Sequence, residues 1–253
     1  MNILVSNDDG IDSNGIYCLV TELRKYYNVE VVAPDNQQSA VGHAITISNT
    51  LRCSNFNKNG SHFGYSVNGT PSDCVKLALS KIIGFKPDFI LSGINHGRNT
   101  ANSIMYSGTV SAATEGTMLR IPSMAISLDS VLENADFEYA AKIASKLVSH
   151  FIDNPFPIKT LLNVNVPAIS ELDIKGFKIT TQGDSYWNDT YEKRIDPLGR
   201  EYYWLTGNYI LEGDENSDDI ALRDGYISIT PIHTRITNYS SLDYLKDSIK
   251  DLK

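Results

Sequence analysis

Hydrophobic and polar positions alternate along this chain in blocks of two kinds. Ile3 to Ser6 is a short apolar run that stops at Asn7-Asp8-Asp9-Gly10, after which Ile16, Leu19, Val20 and Leu23 recur at helical spacing. Val29 to Ala33 is β-branched and bounded by Pro34, so the first 34 residues read as strand, loop, helix, strand, the unit of a parallel sheet. Ala44 to Leu51 and Phe63 to Val67 carry strand patterns. Thr70-Pro71-Ser72-Asp73 then opens a helix running through Ile82, with Thr at the cap, Pro at the first helical position and an acid at the third.

The alternation continues. Asp88 to Leu91 is a strand ending in Ser92-Gly93-Ile94-Asn95-His96-Gly97. Val110 to Leu119 is a helix preceded by Ser107-Gly108-Thr109, and Ile121 to Leu128 is another strand. Phe137, Ala140, Ala141, Ala144, Leu147, Val148 and Phe151 share one face of a long helix, and Leu161 to Val166 returns to the sheet. The pattern predicts an α/β core over residues 1–168. From about Ile169 the segment turns rich in Tyr, Trp, Asp and Gly with short strand patterns, and Ser240 to Leu252 closes as a helix with Leu242, Leu245 and Ile249 on one side. Residues 169–253 therefore read as a β-rich appendage with a C-terminal helix.

Composition narrows the function classes. At 253 residues, with 42% hydrophobic and 21% charged residues, the chain can bury a full core and is not a disordered or coiled-coil sequence. A net charge of -8 argues against a footprint for a nucleic-acid duplex or an anionic membrane, so a phosphate ligand must find its positive charge locally. Three cysteines, Cys18, Cys53 and Cys74, are an odd number that fits a reducing compartment, and they read as core fillers. The N-terminal apolar run is too short for a secretory signal and no later stretch reaches membrane-span length; the expected location is the cytoplasm.

Asp8 and Asp9 fall where the first strand ends, at the carboxyl edge of the sheet, which is where open α/β folds bind ligands. Adjacent carboxylates there are costly unless a cation neutralises them, because each raises the other's pKa. A solvated turn feeding the next helix would account for the pair equally well. Topology brings Ser39 and Asn95 to the same edge. Two carboxylates, a hydroxyl and an amide carbonyl suit Mg²⁺ or Mn²⁺ and do not suit Zn²⁺. Ser107, Gly108 and Thr109, before a helix, supply hydroxyls and N–H groups for a phosphate, or an ordinary N-cap. His43 and His96 are candidate general acids. Lys76 and Arg98 are read as solvated surface charges; Trp187, Tyr191, Tyr202, Tyr203 and Trp204 could stack a base, but such a cluster in a β-rich arm is more often core or subunit interface.

Taken together, Ile3-Leu4-Val5-Ser6-Asn7-Asp8-Asp9-Gly10, Val32-Ala33-Pro34-Asp35, Asn68-Gly69-Thr70-Pro71-Ser72-Asp73-Cys74-Val75, Ser92-Gly93-Ile94-Asn95 and Tyr106-Ser107-Gly108-Thr109-Val110 resemble the SurE family, the survival-protein 5'-nucleotidases. The likeness extends through Asp196-Pro197-Leu198-Gly199-Arg200 and Asp224-Gly225-Tyr226-Ile227-Ser228-Ile229-Thr230-Pro231. It implies a Rossmann-like three-layer core with a mostly parallel sheet. It also implies an arm and C-terminal helix swapped between subunits of a homodimer or homotetramer.

The implied activity is metal-dependent hydrolysis of nucleoside 5'-monophosphates, with 3'-nucleotides and short polyphosphate as further candidates. By the same resemblance Asp8, Asp9, Ser39 and Asn95 hold one divalent cation, Mg²⁺ or Mn²⁺, per subunit. Asp8 and Asp9 are the catalytic candidates, and Asn95, Ser107, Gly108 and Thr109 contact substrate. Two departures touch substrate contacts and hinge behaviour: Asn36-Gln37-Gln38 lacks a basic residue often found after Ala-Pro-Asp, and Arg235 stands where an Asp is usual.

Rival readings remain. A haloacid-dehalogenase-type phosphatase separates its two Asp residues by one position. A dinucleotide oxidoreductase needs a glycine fingerprint where Asn7 to Gly10 offers carboxylates. A glycosyltransferase-like fold is a further option, and a nucleotide-binding regulator without turnover belongs to another class.

Overall fold

The computed structural model describes residues 1–250 and 252. Nine strands form one sheet: β1 (Asn2–Ser6), β2 (Asn28–Pro34), β3 (Cys53–Lys58), β4 (Ser61–Val67), β5 (Phe89–His96), β6 (Ser123–Asp129), β7 (Thr160–Pro167), β8 (Phe177–Ile179) and β11 (Ile227–His233). Their order is β3-β4-β2-β1-β5-β6-β7-β11-β8. The pairs from β4 through β7 are parallel, while β3 against β4 and β11 against β7 are antiparallel. The sheet is thus mixed but mostly parallel, as the alternation of strands and helices predicts.

Helices cover both faces, and strand residues alternate between them. Ile3 and Val5 of β1, Phe89 and Leu91 of β5, and Met124 and Ile126 of β6 point into the core under α1 (Asn14–Leu23) and α4 (Glu138–Asp153). Leu4 and Ile90 point the other way, under α2 (Pro71–Leu77) and α3 (Gly108–Met118). This two-sided burial is why the strands read as continuous apolar runs. Ile16, Leu19, Val20 and Leu23 are all buried on α1, as their spacing predicts.

At α2 the expected capping box is present: the Thr70 hydroxyl accepts from the Asp73 N–H and the Asp73 carboxylate accepts from the Thr70 N–H. Such a pair satisfies two N–H groups that the first turn leaves without partners. The helical path then continues as one π turn, Ala78–Ile82.

Two expectations fail. Ala44 to Leu51 forms no strand; Ile45 and Ile47 are exposed, and the partner of β4 is instead the polar β3. Cys53 stands on that edge strand and is exposed, Cys18 is half-buried, and only Cys74 fills the core.

Residues 169–253 divide between sheet and surface. β8 and β11 join the main sheet, and α5 (Asp218–Arg223) packs beside β11. β9 (Tyr186–Ile195) and β10 (Glu201–Ile210) form a separate antiparallel hairpin, and α6 (Leu242–Ile249) buries no residue. Among the described residues no helix is long and apolar enough to cross a membrane.

Candidate metal and phosphate site

The sheet order reverses direction between β1 and β5, and ligands of open α/β sheets bind at such a switch point, outside the carboxyl ends of the strands. Asp8 and Asp9 follow β1 there. Their loop is fixed locally: the Asn7 amide donates to Gly10 O and to Ser13 Oγ, both at 2.9 Å. The neighbouring loop is tied on by Ile11 N–H to Pro34 O at 2.8 Å and by Gln38 N–H to Asp8 O at 2.7 Å. That second tie brings Ser39 to the edge, where its Oγ accepts from Gln37 Nε2 at 2.7 Å.

On the other side, β5 delivers Asn95 and His96. The register of β5 against β6 shifts between Ser92 and Asn95, and such an irregularity re-aims the residues that follow. Gly93 is required there: its φ is +138° and a Cβ would lie 2.3 Å from Ile126 O. The His96 N–H donates to Asp9 Oδ2 at 3.0 Å, and the Asn95 amide donates to Gly97 O at 2.7 Å, leaving its Oδ1 turned toward Thr109 at 3.2 Å.

Helix α3 points its N-terminus at Asp8. The Thr109 hydroxyl donates to Asp8 Oδ1, and the Thr109 backbone N–H also favours the ionised carboxylate. Gly108 passes so close that a Cβ would stand 2.7 Å from Asp8 Cβ and 2.9 Å from Asp8 Oδ2. Ser107 caps the helix, its Oγ accepting from Val110 N–H at 3.1 Å.

Electrostatics mark the pair. Asp8 is only 5% exposed, and burial pushes its pKa up from 3.8 to about 6; the Thr109 hydroxyl opposes the rise and the neighbouring Asp9 charge adds to it. Burial also raises Asp9, against the pull of the His96 N–H. Two adjacent carboxylates whose ionised forms burial disfavours are the arrangement a cation relieves.

A cavity of about 200 Å³ opens over them, with Ser39, Asn95, His96 and Ser107 in its wall. The sequence-based candidates thus meet, with a division of labour: Ser107 faces the cavity, whereas the Thr109 hydroxyl is spent on Asp8 and Gly108 provides the close approach. Ala40, Asn99, Ser103 and Tyr106 also line the cavity. Sequence reasoning missed Asn99 and Ser103 as site residues because they lie in a turn and a short 3-10 segment, Ala101–Tyr106, with no periodicity to read.

Of the other candidates, His43, Lys76 and Arg98 do not line the cavity, whereas His96 does. His43 Nε2 lies 3.0 Å from Glu115, which also receives Lys76 at 3.0 Å, so Lys76 is not merely solvated. Arg98 pairs with Asp129 at 2.7 Å and lies over the Tyr209 ring. His96 packs edge-on against Phe137, and its Nε2 is buried without a partner.

The family model described as Survival protein SurE matches residues 3–189. The chain belongs to the SurE family. A relative named 5'-nucleotidase SurE from Chlorobium chlorochromatii is 46% identical over 95% of this chain and 89% of its own length. Another of that name from Thermosipho africanus is 44% identical over 99% of this chain and 98% of its own. The crystal structure of the SurE protein from Aquifex aeolicus superposes with a TM-score of 0.84 at 39% identity, covering 98% of this chain and 99% of that one. SurE motifs expected at Asn7 to Gly10, Ser92 to Asn95 and Ser107 to Val110 are the segments that meet around Asp8.

Proposed function

We propose that this chain is a 5'-nucleotidase that releases phosphate from nucleoside 5'-monophosphates with one divalent cation, Mg²⁺ or Mn²⁺, per subunit. The observation that carries the reading is the meeting of the buried Asp8 and half-buried Asp9 carboxylates with oxygen donors from two other loops, beside a helix N-terminus and a small cavity. Curated relatives at 44–46% identity bear the name of that activity.

The donor set fits a hard cation. Asp8, Asp9, Ser39 and Asn95 offer oxygen alone, and among the described residues no group of three or more His, Cys, Asp and Glu side chains converges, as a softer metal would want. Lys76 and Arg98 are engaged with Glu115 and Asp129, and among the described residues no ion pair neutralises Asp8 or Asp9. A bound cation would supply Lewis acidity at a phosphate oxygen and favour ionised water near neutral pH.

The chain's own residues do the rest. Asp8 and Asp9 would hold the cation with Ser39 and Asn95, and the Thr109 hydroxyl orients Asp8 and favours its ionised form. Ser107, its lone pair occupied by Val110 N–H, still has a hydroxyl proton to give to a phosphate oxygen. The His96 backbone N–H holds one oxygen of Asp9. Terminal phosphates of 3'-nucleotides and short polyphosphate present the same group to this cavity.

Self-association is part of the proposal. The β9–β10 hairpin carries Trp187, Tyr191, Tyr203, Trp204 and Leu205, each more than half exposed, and α6 leaves Tyr244, Leu245 and Ile249 at least half exposed. A lone two-stranded ribbon is marginal in water and a large apolar surface marks an association site. Exchange of arm and helix between copies, giving a homodimer or homotetramer, would cover both.

Phosphate release from a panel of nucleoside 5'- and 3'-monophosphates and tripolyphosphate, with EDTA, Mg²⁺ or Mn²⁺, tests the function. Release that needs a cation supports it. No release with any cation would favour a nucleotide-binding protein without turnover.

A further inference from the structure

A second acidic pair, Asp218-Asp219, opens α5, and both residues are fully buried. Asp218 is not an isolated cap. Its carboxylate accepts the N–H of Ala101 at 3.0 Å and 3.2 Å on its two oxygens, of Gly183 at 3.0 Å and of Asp219 at 2.9 Å. The three donors come from three places: the wall of the phosphate cavity, the root of the β9–β10 arm, and α5 itself. Gly183 admits this approach: a Cβ there would stand 3.1 Å from Asp218 Oδ1 and 2.6 Å from Asp219 Oδ1.

The wall needs such a hold. Ala101 adopts φ +48°, a left-handed conformation that a residue with a Cβ keeps only when its surroundings impose it. Its carbonyl is held too, by Gln182 Nε2 at 3.0 Å. Just before it, Asn99 is fixed on the other side: its N–H donates to Asn165 Oδ1 at 2.8 Å and its carbonyl accepts from Asn163 Nδ2 at 2.8 Å. Between these two anchors the chain turns into Ala101–Tyr106, which delivers Ser103 and Tyr106 to the cavity over Asp8 and Asp9.

We propose that Asp218 is a positioning residue for substrate binding, pinning the 99–106 wall to the root of the arm so that Ser103 and Tyr106 face the phosphate cavity. This rests on the 5'-nucleotidase reading for the identity of the substrate and not for the geometry of the anchor. Asp218 touches neither the cavity nor the cation ligands, so its loss acts on the shape of the wall and leaves the reacting edge in place. Asp219 is the internal control: its Oδ1 accepts from Ile220 N–H and its Oδ2 from the Tyr209 hydroxyl, with no bond to the wall.

The test compares the parent protein with Asp218→Asn, Asp219→Asn and Gln182→Ala. Each is measured for kcat and KM with a nucleoside 5'-monophosphate, and for hydrogen exchange of the amides of residues 100–106. Asparagine keeps the shape of Asp218 but turns an N–H₂ toward a backbone donor, which removes at least one anchor bond. The expected result is a KM about tenfold higher in Asp218→Asn with kcat within about threefold, and faster exchange across 100–106. Gln182→Ala should raise KM about threefold, and Asp219→Asn should leave KM unchanged.

A fall in melting temperature with KM and exchange unaltered would overturn the proposal. Should Asp218→Asn fail to fold, Gln182→Ala decides: a normal KM with normal exchange overturns it. Should the parent release no phosphate, the 5'-nucleotidase reading fails while exchange still decides the anchor, faster exchange supporting it and unchanged exchange refuting it.

Discussion

The edge around Asp8 and the β9–β10 arm are built on opposite principles. At the edge, the close approaches are fixed by neighbours within the chain: Gly108 lies against Asp8, Gly93 against Ile126, and the Asn7 amide closes the loop between them. The ten residues on each strand of the arm, by contrast, pair with each other and meet the core only near its root, as Tyr209 does at Arg98 and Asp219, while Trp204 and Tyr203 stand more than half exposed. A region that is over-determined by its own chain can hold two carboxylates in an unfavourable state. A region that is not must take its stability from elsewhere, and for an aromatic ribbon a second copy of the chain is the natural source.

Removing a carboxylate from the edge should have the largest effect. Asp8→Asn is expected to lower cation-dependent phosphate release by about a thousandfold or more, since it removes both a cation ligand and the group that α3 orients. Steady-state assays at saturating Mn²⁺ check this. Gly108→Ala comes next: the added methyl must displace Asp8, and release should fall about ten- to a hundredfold with a loss of roughly 1–3 kcal/mol in unfolding free energy, read by denaturant titration.

The arm should answer differently. Trp204→Asp is expected to shift the oligomer toward monomer by light scattering while leaving Mn²⁺ affinity within about threefold, because no arm residue lines the cavity. Loss of cation binding in that variant would break the contrast between the two regions.

A subtler effect concerns pH. Asp8 is raised from 3.8 to about 6 when folded, so the folded protein holds this proton more tightly than the unfolded chain does. Its contribution to stability is therefore present below about pH 4 and lost as the pH rises through about 6. Asp218, raised to about 6 chiefly by burial, has the same sign. The cation-free protein should melt at progressively lower temperature from pH 4 to pH 7, and Asp8→Asn should flatten that decline. The smallest effect is expected at a cap far from the cation: Thr70→Ala should cost about 1 kcal/mol in denaturant titration and leave KM unchanged.

Most of the core was readable because its signals are local. The apolar stop at Asn7, the spacing of Ile16, Leu19, Val20 and Leu23, and the Thr70 capping box each have a physical cause within a few residues. The edge strand β3 was not readable: Cys53-Ser54-Asn55-Phe56-Asn57-Lys58 pairs through backbone alone and has one half-buried apolar side chain, whereas Ala44 to Leu51 has the apolar residues and no sheet edge to receive them. At the site, Asp8, Asp9 and Asn95 were legible as strand-end polar residues. The hold of Thr109 on Asp8 spans 101 residues of sequence, and the wall formed by Asn99, Ser103 and Tyr106 depends on Asn165 and Asp218 still farther along. Contacts of that range leave no pattern in a single sequence.

The central claim is that Asp8 and Asp9 hold a cation the reaction requires. Parent protein and Asp8→Asn, both stripped with EDTA, would be titrated with Mn²⁺ while phosphate release from a nucleoside 5'-monophosphate is followed in the same samples. Release in the parent should return in step with one bound Mn²⁺ per subunit, and the variant should recover neither binding nor release. Full release from the stripped parent, or from Asp8→Asn, would contradict it.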